Sequence, residues 1–297
     1  MMHGTAMDTL LTLPKRVKAR SSGGTFVDTS AGLLHYVDTG GDKPVLLTTP
    51  DAPCVIEHHQ RLTEILARDF RVVIFEMPGS GRSFPRVTYG FTAVETANAI
   101  QQLMDELGIK KAALAFSCVN CMHALNFAKR FPKRVSHLAL VQMPSVANFR
   151  ARWPEDNIPT LLRAPFVGQI AGRLAAFRLS DKWFDLSLPR PSDRREPFKQ
   201  LSRESLDSGG CFCLSSIAQG AVRTPDADML GATAPTDMVY GDRDFSHRNS
   251  DFQTLTDTVP QAKVTEYGGC GHFPNLERPE EYAEHLRKFV LEDCSVA

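Results

Sequence analysis

The sequence has little that would direct it to a nucleic acid or a membrane. Its 34 basic and 34 acidic residues cancel to a formal net charge of zero, so no charge excess is present to attract a polyanion or an anionic bilayer. No apolar run approaches the roughly 18 residues that a membrane-spanning helix needs. The first twenty residues also lack an apolar stretch of signal-peptide type. We therefore expect a soluble, cytoplasmic protein whose partner is a small-molecule substrate, with no nucleic acid and no membrane; a homodimer stays open.

A regular cysteine framework is also missing. Seven cysteines are an odd number without dense spacing, which is unlike the pattern of a small secreted disulfide protein. Cys118 and Cys121 form a CxxC pattern at the start of a predicted helix, but no second CxxC completes a zinc site. The sequence therefore predicts buried, reduced thiols, and it predicts neither a metal nor another cofactor.

Short apolar runs alternate with helical patterns from residue 25 onward, which favours a mostly parallel sheet built from strand–helix–strand units. Most of these runs are almost continuously apolar, as is typical of strands covered on both faces. A helix over residues 92–107 begins with a capping-box pattern of Thr92 and Glu95. The fold class predicted is α/β, a mostly parallel central sheet flanked by helices. The predicted strands are 32–38, 45–49, 72–75, 112–116, 137–142, 236–240 and 264–267.

Residues 144–228 break this alternation. The segment is rich in proline, contains both tryptophans and has only short helical patterns. We interpret it as a helical cap inserted between core strands, with residues 25–143 and 229–297 forming the core and residues 1–24 a loose lead-in. One or two of the basic side chains in the cap could meet a substrate carboxylate.

Three residues of complementary chemistry follow predicted strands. Ser117, Asp244 and His272 each come after their own strand, in that order along the chain. Ligands bind at the carboxyl ends of strands in open α/β sheets. A serine nucleophile needs a base to accept its proton and an acid to orient that base. The order predicts Ser117 as nucleophile, Asp244 as acid and His272 as base, whereas Ser117 alone could simply cap a helix; His247 is a minor rival base.

Further motifs carry a resemblance to a known family. Residues 76–83 form a tight turn of the pattern D-x-P-G-x-G-x-S with Glu76 in place of aspartate, and similar matches lie at residues 34–40, 124–128 and 278–280. The glycines of the turn do not complete G-x-G-x-x-G, which excludes a dinucleotide site. The chain resembles the α/β-hydrolase fold family over about residues 25–293. The resemblance is to the capped branch, with its epoxide hydrolases, haloalkane dehalogenases, esterases and carbon–carbon bond hydrolases.

The resemblance implies an oxyanion hole formed by the backbone N–H groups of Asp51 and Cys118. The sequence departs from the family at Thr49 and Pro50, where relatives carry His-Gly, and at Val119, where a small residue is usual. We predict that the main-chain N–H of Asp51 faces the reacting oxygen while its carboxylate turns away, because polar loop residues are often only turn formers. A carboxylate that points inward instead would have to be protonated or take part in the chemistry itself. The predicted pocket residues are Phe116, Trp153, Trp183 and Phe273.

The leading functional expectation is a carboxylesterase-like serine hydrolase that cleaves an ester or thioester of a small, largely apolar substrate through an acyl-enzyme. A serine in place of an aspartate nucleophile argues against the dehalogenase and epoxide hydrolase activities, which need an alkyl-ester intermediate. One alternative is hydrolysis of an activated carbon–carbon bond with the same triad. From a different class, the chain could be a degenerate member that binds a ligand.

Overall fold

The computed structural model describes residues 4–21, 24–156 and 160–292, and the side chains of 17–21 and 152–156 lie outside the description. Eight strands follow one another across a main sheet in the order β1-β2-β4-β3-β7-β8-β10-β11, and β6 pairs with β2. The strands are β1 (Thr25–Asp28), β2 (Gly32–Asp38), β3 (Val45–Thr48), β4 (Arg71–Phe75), β5 (Ser80–Gly81), β6 (Phe84–Pro85), β7 (Ala112–Ser117), β8 (Val135–Val141), β9 (Cys211–Phe212), β10 (Thr236–Gly241) and β11 (Lys263–Tyr267).

Helices cover both faces of this sheet, and their bounds follow the apolar patterns of the sequence. The helices are α1 (Thr5–Ser21), α2 (Gln60–Leu66), α3 (Ala93–Glu106), α4 (Asn120–Arg130), α5 (Val146–Asp156), α6 (Thr160–Arg163), α7 (Val167–Leu174), α8 (Ala176–Ser187), α9 (Arg195–Asp207), α10 (Leu214–Arg223), α11 (Leu255–Thr258), α12 (Pro274–Glu277) and α13 (Pro279–Arg287). In α3 the predicted cap is present, since the Thr92 hydroxyl accepts from the Glu95 N–H. None of the described helices combines the length and the apolarity that crossing a bilayer requires.

Strands β4, β3, β7, β8, β10 and β11, in this order across the sheet, run parallel to one another, whereas β2 pairs in antiparallel fashion with β1, β4 and β6. All six residues of β7 are buried, as expected for a central strand covered on both faces. Because parallel strands end at the same edge of a sheet, the loops after β3, β7, β10 and β11 gather at one edge. The predicted α/β fold with its mostly parallel sheet is confirmed.

Residues 144–228 contribute helices α5 to α10 and strand β9 in the part of the chain that the structure describes. Strand β9 pairs with β5 in a small separate sheet, with Ser80 opposite Phe212. This pairing attaches the helical insertion to the turn after β4. The helices α8 and α10 thereby lie beside the edge at which the loops gather, and both contribute side chains to the cavity described below.

The loose lead-in predicted for residues 1–24 is instead a helix over Thr5–Ser21, although Pro14 lies within it. The helix docks on α10, where the Ser216 hydroxyl donates to the Asp8 carboxylate at 2.6 Å. Its buried face includes Ala6 and Thr9. Tertiary contacts therefore stabilise a segment whose local sequence contains a helix breaker.

Candidate active site

The turn between β7 and α4 holds the candidate nucleophile. Strand β7 ends at Ser117 and α4 begins at Asn120, so only two residues make the turn. Cys118 has a φ of +51°, an uncommon value for a residue with a Cβ and typical of strained turns at active sites. Such a strand-to-helix turn exposes one side chain above the end of the sheet. The structure places Cys118 at this position, whereas the sequence placed Ser117 there.

The Cys118 sulfur lies among two imidazoles. Its Sγ atom is 3.7 Å from Nε2 of His247, and one ligand atom from each of Cys118, His247 and His272 lies within 4.8 Å of the others. Ser117 remains a residue of the sheet, paired with Val141 of β8. The thiol, one residue further along, is thus the nucleophilic group that reaches the predicted base.

The acid and the base predicted from the sequence are brought together. Nδ1 of His272 lies 2.6 Å from Oδ2 of Asp244, and both side chains are buried. The other acid of the same loop, Asp242, instead accepts from the Gly269 N–H. Asp244 is therefore placed to hold the imidazole in one orientation, as the acid of a triad does.

Two further residues hold Asp244 in place. Gln142, directly after β8, donates from its side-chain amide to Oδ2 of Asp244 at 2.7 Å and accepts from the Gly241 N–H at 2.9 Å. Ser246 donates to Oδ1 of Asp244 from its hydroxyl at 2.5 Å and from its backbone N–H at 2.9 Å. Sequence reasoning missed Gln142 as a positioning residue; the signal in the sequence was a lone amide that follows the apolar residues of β8, and its φ of +55° is a finding of the structure.

The carboxylate of Asp51 points into the site. Its Oδ2 lies 3.0 Å from Nε2 of His272, and Asp51 is buried. The prediction that this side chain turns away is therefore wrong. The loop after β3 is buried rather than a surface turn, and a carboxylate there needs a partner that compensates for lost hydration. His272, already aligned by Asp244, supplies that partner.

Burial and charge set the protonation of this cluster. Burial alone would raise the pKa of Asp244, but the charge and hydrogen bond of His272 outweigh it and the pKa falls to about 2. Burial alone would lower the pKa of His272, but the Asp244 carboxylate raises it well above its ordinary value. Burial raises the pKa of the Cys118 thiol to about 11, and the charge of Asp51 adds to this shift. At neutral pH the resting site therefore holds a neutral thiol beside an imidazolium.

The backbone donors of the site differ in part from those expected. The N–H of Cys118 donates to the Val141 carbonyl at 2.8 Å, which belongs to the sheet, so it is not free to bind an oxyanion. The N–H of the next residue, Val119, interacts with the Cys118 sulfur and corresponds to the donor that follows a nucleophile in such turns. Asn120 donates to the Pro50 carbonyl at 3.1 Å, which joins this turn to the loop that carries Asp51.

A cavity of about 250 Å³ opens onto Asp51 and Cys118. Helix α8 contributes Lys182 and Trp183 to its wall, and the Trp183 ring meets His272 edge to face at 5.3 Å. Most of the other lining residues are apolar. The cavity can thus enclose a small, largely apolar molecule next to the thiol, with one cation in reach.

The four predicted pocket residues have different positions. Trp183 lines the cavity. Phe116 is fully buried in the core against Phe75, because the side chain before the turn faces into the protein. Phe273 packs on His272 at 4.9 Å, where it supports the base. Trp153 belongs to α5, but its side chain lies outside the described residues.

Comparison with known proteins places this geometry in a family. The family model described as "alpha/beta hydrolase fold" matches residues 55–279, about three quarters of the chain. The chain belongs to the α/β-hydrolase family. It is an enzyme, and a hydrolase.

Several relatives match most of its length at low identity. A 2-hydroxy-6-oxononadienedioate/2-hydroxy-6-oxononatrienedioate hydrolase of Pseudomonas putida is 24% identical over 87% of this chain and 90% of its own. The corresponding enzyme of Paraburkholderia phymatum is 29% identical, over 86% and 90%. Among solved structures, epoxide hydrolase A from Mycobacterium thermoresistibile superposes with a TM-score of 0.75 at 18% identity, over 90% of this chain and 98% of that one. A thermophilic esterase from Thermogutta terrifontis has a TM-score of 0.67 at 22% identity, over 91% and 98%.

Proposed function

We propose that this protein is a thiol-dependent hydrolase that cleaves the acyl bond of a small ester or thioester through an acyl-enzyme on Cys118. The observation that carries the proposal is the position of Cys118 on the strained turn after β7, with its sulfur beside His272. A cysteine forms covalent acyl intermediates as a serine does, and it is activated in the same way by an adjacent base. Ser117, the nucleophile expected from the sequence, lies one residue too early in this arrangement.

The protonation states of His272, Asp51 and Cys118 in the resting site determine the first step of the proposed reaction. His272 is protonated and holds the carboxylates Asp244 and Asp51 at its two nitrogens. The thiol also hydrogen-bonds with Asp51. We propose that Asp51 accepts the thiol proton when the substrate carbonyl arrives, which leaves a thiolate next to the His272 imidazolium. An ion pair of this kind is the reactive form of catalytic cysteines.

The remaining steps follow from the same groups. The thiolate attacks the carbonyl carbon, and the N–H groups of Val119 and Asp51 stabilise the oxyanion. His272 donates its Nε2 proton to the leaving group as the carbon–oxygen or carbon–sulfur bond breaks. In the second half, neutral His272 removes a proton from water, hydroxide displaces the thiolate, and Asp51 returns its proton to the sulfur. One water is consumed and the site regains its starting protonation.

The cavity limits the substrate. Its volume of about 250 Å³ and its mostly apolar wall fit a small acyl compound. Lys182 is the one lysine or arginine among the described residues of the wall, and it projects from α8 of the insertion. A substrate that carries a carboxylate at the end remote from the scissile bond would place this carboxylate at Lys182.

The decisive experiment identifies the bond to the enzyme. The protein is mixed with p-nitrophenyl butyrate, quenched in acid within a turnover, and analysed by intact mass and peptide mapping. Neutral hydroxylamine is then added to the denatured adduct, because it cleaves a thioester readily and an oxyester of serine slowly. We expect one butyryl group on the peptide with Ser117 and Cys118, lost with hydroxylamine and absent from Cys118→Ala treated in the same way. A hydroxylamine-resistant adduct that persists in Cys118→Ala would overturn the proposal in favour of Ser117.

A second candidate is hydrolysis of an activated carbon–carbon bond. The curated relatives named as hydrolases of dioates with a 2-hydroxy-6-oxo group support it, and so does a lysine facing the cavity. The substrate to test is 2-hydroxy-6-oxo-6-phenylhexa-2,4-dienoate, which gives its name to a similar hydrolase of Comamonas testosteroni. Bleaching of its dienolate absorbance faster than ester hydrolysis at equal concentration favours this candidate, and an unchanged spectrum excludes it for this compound.

A further inference from the structure

Three soft or borderline ligands converge beside the cavity. Among the described residues, Cys118, His247 and His272 each offer one ligand atom, and these atoms lie within 4.8 Å of one another. All three side chains are buried. His247 has no part in the acyl transfer set out above, because Asp244 and Asp51 already occupy the two nitrogens of the base. Its position next to the thiol therefore indicates a role other than acyl transfer.

The distances fit a tetrahedral centre. With a zinc–sulfur bond of about 2.3 Å and a zinc–nitrogen bond of about 2.0 Å, the sulfur and nitrogen corners are about 3.5 Å apart. The observed separation of the Cys118 Sγ and His247 Nε2 atoms is 3.7 Å. The other separations within the group are at most 4.8 Å, so side-chain movements of about 1 Å admit the ion.

Both histidines are also oriented as metal ligands usually are. Ligating imidazoles hold their second nitrogen in a hydrogen bond, which fixes the ring. Nδ1 of His272 lies 2.6 Å from Asp244, and Nδ1 of His247 lies 3.0 Å from the Ser250 hydroxyl. In each ring the Nε2 atom is thereby directed at the centre of the cluster.

We propose that Cys118, His247 and His272 form a site for a thiophilic divalent cation such as Zn²⁺, and that occupancy of this site blocks turnover. Thiolate and imidazole are the ligands that Zn²⁺ prefers. Three protein ligands leave the fourth tetrahedral position to water, and turnover stops because the ion occupies both the thiolate and the base. The metal forms bonds to Sγ and to Nε2 of His272, and the protons of the thiol and the imidazolium pass to solvent. The inhibitory consequence rests on the proposed function, whereas binding itself does not.

Cobalt(II) reports the coordination directly. Chelator-treated protein is titrated with Co²⁺ in the absence of substrate. We expect one equivalent to produce the near-ultraviolet sulfur-to-cobalt charge-transfer band together with the intense visible bands of tetrahedral cobalt, and Zn²⁺ to displace it. Cys118→Ala should lose the charge-transfer band, and His247→Gln should weaken binding by at least about tenfold. Absence of the bands in the folded wild-type protein would overturn the site.

His123→Gln is the matched control. His123 is also buried and lines the same cavity, but its ring is not part of the convergent group. The His123→Gln variant should bind Co²⁺ like the wild type. Equal weakening of Co²⁺ binding in His123→Gln and His247→Gln would overturn the assignment of His247. Circular dichroism of each variant establishes that it is folded.

Hydrolysis is then measured with Zn²⁺ and with a chelator. Inhibition that the chelator reverses and that His247→Gln weakens supports the full proposal. Cobalt bands without inhibition by Zn²⁺ would overturn the blocking of turnover, and with it the role of Cys118 as nucleophile, but would support the site. A thioester adduct on Cys118 without cobalt bands would overturn the metal site and support the proposed function.

Discussion

One side of the site matches the common α/β-hydrolase arrangement, and the other side departs from it. On the acid side, Asp244 and His272 occupy the loops after β10 and β11 and form the hydrogen bond expected of them. On the nucleophile side, a cysteine occupies the turn after β7, and the carboxylate of Asp51 lies where the base would meet a hydroxyl. The acid side keeps the carboxylate and the oriented imidazole of the common arrangement. The nucleophile side has a thiol and a second carboxylate, so its groups differ in acidity from a serine hydroxyl.

In this site the nucleophile and the charge around it both differ from the serine arrangement. A serine needs a neutral imidazole to accept its proton. Here the second carboxylate helps keep His272 protonated, and the same carboxylate interacts with the thiol. A thiol can lose its proton to a carboxylate far more readily than a hydroxyl can, because its ordinary pKa of about 8.5 is much lower. Asp51 and Cys118 are therefore best understood as a pair.

The largest effect should separate the two adjacent candidates for the nucleophile. Cys118→Ala should lower the rate of ester hydrolysis by about 10⁴-fold or more, since loss of a triad member removes the covalent route. Ser117→Ala should retain most of the rate, because Ser117 is a buried strand residue. Steady-state rates of both purified variants check this ranking, and a reversed ranking would restore the serine assignment.

The next effect tests the acid side. Asp244→Asn should lower kcat by about 10³- to 10⁴-fold, because an amide no longer stabilises the imidazolium or fixes its tautomer. Asp242→Asn should cost little, since Asp242 only accepts from the Gly269 N–H. The measurement is kcat for both variants at one pH. Similar losses in the two would contradict the assignment of Asp244.

A smaller effect is expected on the nucleophile side. Asp51→Asn should lower kcat by about 10²-fold, which is the lower range for removal of a general acid–base group. The amide keeps the size and the backbone N–H of the residue but cannot accept the thiol proton. Single-turnover acylation measured by rapid mixing should slow as much as kcat. An unchanged acylation rate would reduce Asp51 to an oxyanion donor.

Lys182 should affect binding rather than chemistry. Lys182→Met should raise KM by about tenfold for an ester that bears a remote carboxylate, as expected for loss of one charge-assisted hydrogen bond of about 1.5 kcal/mol. A neutral ester of the same length is the matched substrate control, and its KM should hardly change. An equal rise for both esters would indicate damage to the cavity instead of a lost ion pair.

The smallest effect on turnover is expected for a second buried carboxylate, which contrasts with Asp51. Burial raises the pKa of Asp8 to about 6, and this residue lies in α1 on the face that docks on α10. Because the pKa is higher in the folded state, the stabilisation is complete below pH 4 and is lost as the pH rises through about 6. Asp8→Asn should therefore gain on the order of 3 kcal/mol in unfolding free energy relative to the wild type between pH 4 and pH 7.

Urea unfolding of Asp8→Asn and wild type at these two pH values measures that difference. Turnover of Asp8→Asn at pH 7 should match the wild type, since Asp8 lies outside the site. A stability difference that does not depend on pH would show that the carboxyl is not titrating in this range.

The sequence was sufficient for the fold and for one side of the site. Continuous apolar runs predicted the strands, and Asp244 and His272 were found because each follows its own strand. The predicted nucleophile was one residue too early, because two small nucleophilic residues are adjacent at the turn. Only the backbone torsion of Cys118 shows which of them leaves the sheet. The direction of the Asp51 side chain depends on burial and on a partner 221 positions away in sequence, which no local pattern contains.

The burial of the Cys118 sulfur has a consequence for oxidative damage. Peroxide attacks thiolates, and sulfenic acid formation therefore follows thiolate content and exposure. A thiol with a pKa of about 11 offers very little thiolate at neutral pH, so the idle enzyme should resist peroxide for long periods. Each catalytic cycle briefly creates the vulnerable anion, and the rate of oxidative inactivation should rise with the rate of turnover. We therefore expect peroxide to inactivate this hydrolase faster during turnover than during storage.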